Sequence, residues 1–271
     1  MDSAPTRAEM DSAPTFVQNF KIGSVPDNLY MGKYFMDKDN RLILLNKIYK
    51  LYDDFIESID VACEKFCSVC CTCNVTITSL ESYNILFNLS AAKKKILKLK
   101  LAAEYGSKRF IPLTTTNRLA VLCAQDKDIP DEDVDSAWGN CSLLTDKACP
   151  IYDKRPFGCR SFVSKHNCTL KGYAEMDPFV ISVNTLFLQF IEHIDCDGYS
   201  GNIMDVMLSF EEQEKKWRNK KISDAPGNGL IKNNPINVLM VPPEHRLKVM
   251  PMLAELKKII LQADNQSEES I

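Results

Sequence analysis

Of the 11 cysteines in this 271-residue chain, nine fall into two runs, and their spacing limits what the chain can be more than any other feature. The first run is Cys63-x3-Cys67-x2-Cys70-Cys71-x-Cys73; the second is Cys141-x7-Cys149-x9-Cys159-x8-Cys168. Isolated buried cysteines behave as small hydrophobes, but five within an 11-residue window concentrate more sulfur than packing requires. The amino terminus has Asp, Ser, Ala, Pro and Thr where a secretory signal needs basic and apolar regions, so a cytoplasmic protein is expected. In a reducing compartment, clustered thiols point to metal ligation or redox chemistry rather than to structural disulfides.

The residues around the cysteines read mainly as helix. Leu44, Leu45, Ile48, Leu51, Tyr52, Phe55, Ile59, Ala62 and Phe66 recur at steps of three and four, which predicts an amphipathic helix over 41–66. Continued through the first run, that helix would put Cys63, Cys67, Cys70 and Cys71 on one face. Thr78 and Glu81 have the form of a capping box and predict a helix start. A helix over 91–105 follows, with Lys93, Lys94 and Lys95 as its solvated face. Thr114, Thr115 and Thr116 can cap another over 117–125.

The apolar stretch 179–194 predicts a buried core helix, too short for a membrane span and interrupted by Asn184, Gln189 and Glu192. Further helices are expected over 203–220 and from Pro242-Pro243 to about 261, with a short strand at 237–241. The stretch from Trp138 to Lys171 is rich in Cys, Gly, Pro and Asp and has little periodicity. The expected fold class is mainly α: a single helical domain with an irregular cysteine-rich metal-binding insert and little β. The expected boundaries are a disordered segment over 1–18, where MDSAPT occurs twice, a domain over 19–262 with its motif region at 63–168, and a flexible tail over 263–271.

Charge and motif content remove several function classes. Lys plus Arg number 33 against 36 Asp plus Glu, so no global basic field exists to hold nucleic acid. No apolar run reaches membrane-spanning length, so no membrane partner is expected. Neither a Walker-type phosphate loop nor a GxGxxG turn occurs. The acidic 126–135 segment lacks the spacing of an EF-hand and reads as a solvated turn.

The segment Cys67-Ser-Val-Cys70-Cys71, followed by Ile77-Thr78 and Glu81, is joined by Cys141-Ser-Leu-Leu144 and by Ala148-Cys149-Pro-Ile-Tyr152-Asp-Lys-Arg155-Pro156-Phe-Gly-Cys159-Arg160-Ser-Phe162. Together these strings closely resemble the bacterial CxxCxxCC cysteine-cluster proteins, the YkgJ-like zinc- or iron-chelating family. The resemblance spans roughly Cys63 to Phe162 and implies that Cys67, Cys70, Cys71, Cys141, Cys149 and Cys159 are chelating positions. Cys63 stands one residue further from Cys67 than the family name implies. Some members of that family carry the name flagellin lysine N-methylase, so the resemblance also implies, as an alternative, a cluster-assisted protein lysine N-methyltransferase.

The candidate metal ligands are therefore Cys63, Cys67, Cys70, Cys71, Cys141, Cys149, Cys159 and Cys168. Four cysteines suit either structural zinc or an iron-sulfur cluster. Adjacent Cys70 and Cys71 project in different directions, which tilts the reading towards a 4Fe-4S cluster over zinc. Arg155 and Arg160 flank Cys159 and are candidates for easing thiol ionisation, or for solvent or a carboxylate partner. His166 is a candidate nitrogen donor, whereas His193 and His245 read as helix residues. A metal-free redox-responsive thiol protein stands as a second alternative, and a protein partner stays open.

Overall fold

The computed structural model describes residues 38–210 and 229–268, so the expected disorder over 1–18 lies outside the described residues. Helix α1 (Lys38–Glu57) leads to strand β1 (Thr76–Thr78) and α2 (Ser79–Phe87), then α3 (Ala91–Ala103) and α4 (Thr116–Ala124). Two single-turn helices, α5 (Phe157–Arg160) and α6 (Cys168–Lys171), precede the long α7 (Pro178–Ile194). Strand β2 (Tyr199–Asn202), α8 (Ile203–Leu208), β3 (Leu230–Lys232) and α9 (Arg246–Glu268) complete the order. Among the described residues the fold is mainly helical, with one antiparallel sheet in the order β1-β2-β3.

Local signals account for several helix ends. Thr78 caps α2 and Glu81 returns the bond to the Thr78 backbone, completing the capping box. Ser90 and Thr115 accept from the N–H groups of Lys93 and Arg118 at the starts of α3 and α4. Asp177 caps α7, and Pro178 occupies its first turn. The expected 203–220 helix is shortened to α8, which ends at Leu208 and is capped at Ser209; its part beyond 210 lies outside the described residues.

Three further expectations are corrected. The first helix ends at Glu57 instead of continuing to 66. Beyond it, the Ala62 N–H bonds to the Ser164 carbonyl at 2.8 Å, Phe66 takes a left-handed φ of 76° and is 65% exposed, and short turns carry the chain through the cysteines. A cross-chain bond thus replaces helical continuation, although the apolar spacing persists.

The strand expected at 237–241 is not formed. Its backbone is held by side chains of α7: Gln189 donates to the Val238 carbonyl and accepts from the Met240 N–H, while the Ile236 N–H donates to His193 Nδ1. The polar residues that interrupt α7 supply the partners a neighbouring strand would otherwise give. Finally, α9 continues to Glu268, past the helix end expected at about 261.

Two apolar cores result. Leu44, Ile48 and Tyr52 of α1 pack against Val183, Phe187 and Ile191 of α7 and Val249, Leu253 and Leu256 of α9. Ile77, Ile85, Leu97, Leu101, Leu143, Ile151 and Val206 form the second. Helix α2 joins them, with Leu80 in the first core and Ile85 and Leu86 in the second. Among the described residues, no helix is long and apolar enough to cross a membrane.

Candidate thiolate centre

The two cysteine runs are far apart in sequence and are stitched together by backbone bonds. The Cys141 N–H donates to the Cys71 carbonyl at 2.8 Å and the Cys73 N–H to the Gly139 carbonyl at 3.0 Å, with a bridge between Thr72 and Asn140. A second stitch joins Ala62 to Ser164, whose own N–H donates to Cys63 Sγ at 3.2 Å. Between Cys141 and Cys149 the chain turns back through a tight hairpin in which Thr145 and Ala148 exchange both backbone bonds. Asp146 and Lys147 form its tip with φ of 49° and 62°, the conformation of a two-residue primed turn.

Cys159 sits on α5, and the position of this single turn is over-determined. Next to it, Phe157 enters the first core, its ring 4.7 Å from Tyr52 and 5.8 Å from Phe187. The Phe157 N–H and the Tyr49 hydroxyl both donate to Glu81 Oε1 at 2.7 Å, while Glu81 Oε2 accepts from the Thr78 N–H at 2.8 Å. Burial and the Glu81 charge keep the Tyr49 hydroxyl firmly protonated, as a donor must be. A Cβ at Gly158 would stand 3.1 Å from the Thr76 carbonyl oxygen, so α5 packs on β1 closely enough that any side chain there would push the strand backbone back by a few tenths of an ångström.

At the end of α5, Arg160 makes a charge-assisted bond to Asp53 at 2.7 Å and lies over the Tyr49 ring. Of the alternatives open for this arginine, the carboxylate partner is the one realised. Arg155 stacks on Tyr152 and only partly offsets the upward shifts that the Cys71 bond and burial give Cys70 and that burial gives Cys149.

The electrostatics show which thiols are neighbours. Cys159 is pushed up first by burial and then by Cys141, Cys149 and Cys70, whose negative charges would oppose its own. Cys141 is raised by burial and by Cys149, with Lys100 working against the shift. Cys70 and Cys71 hydrogen-bond through their side chains, which raises Cys70 and lowers Cys71; Cys159, Cys141 and Cys149 press on Cys71 in the opposite sense.

A second group adjoins the first. Cys63 is raised by the enclosure of its sulfur, although the residue as a whole is exposed, and then by Cys70, Cys168 and Cys67. All eight candidate cysteines thus belong to two coupled groups that share Cys70.

They do not lie on one helical face, because α1 stops before Cys63. Nor are they gathered into a coordination shell: among the described residues, no group of three or more His, Cys, Asp or Glu side chains stands in metal-holding geometry. Their thiols are free rather than paired in disulfides. Cys73 turns to the Asn74 amide oxygen. His166 pairs with Glu175 and the Tyr173 carbonyl instead of facing the sulfurs.

Sequence reasoning missed the second role of Glu81, the Asp53 partner of Arg160 and the Ser164 contact to Cys63. The capping box marked Glu81, but nothing local signals that its other oxygen anchors Phe157. Comparison with protein-family models, curated proteins and solved structures returns no match for this chain.

Proposed function

We propose that this protein holds a metal centre, an iron-sulfur cluster or zinc, on thiolates drawn from Cys63, Cys67, Cys70, Cys71, Cys141, Cys149, Cys159 and Cys168. The observation that carries the reading is the backbone stitching of two distant cysteine runs, Cys141 to Cys71, Cys73 to Gly139 and Ser164 to Cys63, which sets their thiols beside one another. Thiols that resist ionising beside one another are what a soft cation stabilises, and metal binding displaces their protons. The donor chemistry therefore fits either group. Zinc bound there would brace the loops, whereas a cluster would supply electron-transfer chemistry.

Closing a shell would require the irregular segments 58–75 and 139–156, most of whose residues lie outside helix and strand, to move towards Cys159 and Cys168. Glu81 and the Arg160–Asp53 pair hold the Cys159 turn against the core, and Arg155 contributes positive charge. The resemblance to YkgJ-like chelating proteins supports the same reading through the cysteine strings themselves. A metal-free redox role has one supporting observation, the lowered Cys71 thiol beside Cys70.

One experiment separates the readings: purification without oxygen, followed by iron, zinc and acid-labile sulfide analysis with visible absorption. Near-equal iron and sulfide with broad absorption near ~400 nm, or stoichiometric zinc, is the expected result. Metal-free protein that forms intramolecular disulfides in air would replace the metal reading with the redox one.

A further inference from the structure

We propose that the protein pairs with a second copy of itself, α3 of each copy meeting the 126–135 segment of the other. This pairing is independent of what the thiols hold. Helix α3 has two apolar stripes. Leu97 and Leu101 face inward to the second core, while Ala92, Ile96, Leu99 and Ala103 lie exposed at helical spacing on the outer side. Ile96 is 67% and Leu99 63% exposed, an unusual outward ridge for a helix already anchored by its other face. Its sequence AAKKKILKLKLAA holds lysines and no acidic residue.

The 126–135 segment has the opposite sign and the same apolar character. Asp126, Asp128, Asp131, Asp133 and Asp135 are exposed, and between them Ile129 is 54% and Val134 59% exposed. Among the described residues, Lys93, Lys95, Asp126, Asp128 and Asp131 have no ion-pair partner.

The loop that follows α3 touches the acidic segment. Lys108, shortly past the end of α3, reaches Asp133 at 3.5 Å, and the Leu113 and Thr114 N–H groups both donate to Glu132 Oε1. Two exposed patches of opposite sign on one chain can be paired by a two-fold axis, which sets each patch against its opposite on the other copy. The alternatives are weaker. An anionic membrane or nucleic acid attracted to α3 would be repelled by the neighbouring carboxylates, and α3 against α3 would set like charges together.

The test is a charge swap read by sedimentation. At tens of micromolar the full-length protein is expected to be dimeric at low salt, with its dissociation constant rising about tenfold on going to ~0.5 M salt. Lys93→Glu/Lys95→Glu and Asp128→Lys/Asp131→Lys should each be monomeric, and mixing the two should restore dimers. Restoration by mixing also shows that both variants are folded. A wild-type monomer at low salt, a dimer indifferent to either reversal, or variants that stay monomeric when mixed would each overturn the proposal.

Discussion

The carboxylate of Glu81 receives the backbone N–H of Phe157 at 2.7 Å, and this bond ties the start of α2 to the turn that carries Cys159. The same side chain closes its own capping box and accepts the Tyr49 hydroxyl, so one buried residue joins α1, α2 and α5. The consequences can be measured at both the core and the thiols.

Glu81→Gln should cost about 2–3 kcal/mol, because an amide offers one accepting oxygen where the carboxylate offers two and leaves a buried N–H or O–H without a partner. The urea midpoint reads this. Alkylation of Cys159 in the folded protein should also accelerate as its turn loosens. An unchanged alkylation rate would mean that the core contact of Phe157 suffices to hold α5.

Cys149→Ser or Cys159→Ser should lower bound metal below stoichiometry, whereas Cys123→Ser and Cys196→Ser should not. The latter pair are raised by burial and do not belong to the two coupled groups. Metal analysis of the four proteins decides it. Full retention of metal in both site variants would remove these thiols from the centre.

Two buried groups at the end of α7 oppose each other in pH dependence. Burial lowers His193 to about 4, and its Nδ1 already accepts the Ile236 N–H, so a second proton has no place. The unfolded chain takes up that proton near the ordinary value of about 6.5, so this histidine withdraws stability as pH falls from there towards 4. Asp195 is pushed up to about 7 by burial, against the restraining Ser79 hydroxyl, Arg41 charge and Leu80 N–H.

Its native proton therefore adds stability as pH falls from 7 towards its ordinary value near 4. The two contributions offset one another, each at most about 3–4 kcal/mol. His193→Gln should consequently gain stability on acidification from pH 7 to 4.5, and Asp195→Asn should lose it more steeply than wild type. Parallel profiles of urea midpoint against pH would refute the assignment.

Lys147 holds a left-handed φ of 62° at an exposed hairpin tip. Lys147→Gly converts the tip to Asp-Gly, the preferred pair for a primed two-residue turn, and should stabilise the fold by about 0.5–1 kcal/mol. A thermal melt shows the sign. Because the tip separates Cys141 from Cys149, metal content should be unchanged.

The sequence by itself determined what depends on neighbours three or four residues apart. The caps at Thr78 and Thr115, the amphipathic stripe of α1 and the apolar body of α7 were all legible there. It also marked the two cysteine runs, whose backbones the structure joins at Cys71–Cys141 and Cys73–Gly139.

Tertiary structure alone decided where those patterns yield. Ile59, Ala62 and Phe66 continue the helical spacing, but the Ala62 N–H finds Ser164 and the helix ends at Glu57. The 237–241 segment resembles a strand, but the side chains of Gln189 and His193 bind its backbone and its flank. Periodicity reports which face of an element is apolar. It carries no information about which distant donor or acceptor will satisfy a backbone group, and every buried group of that kind needs a partner. The convergence of the cysteines has the same origin, since their loops are placed by bonds from Glu81, Ser164 and Asp53 that no local spacing encodes.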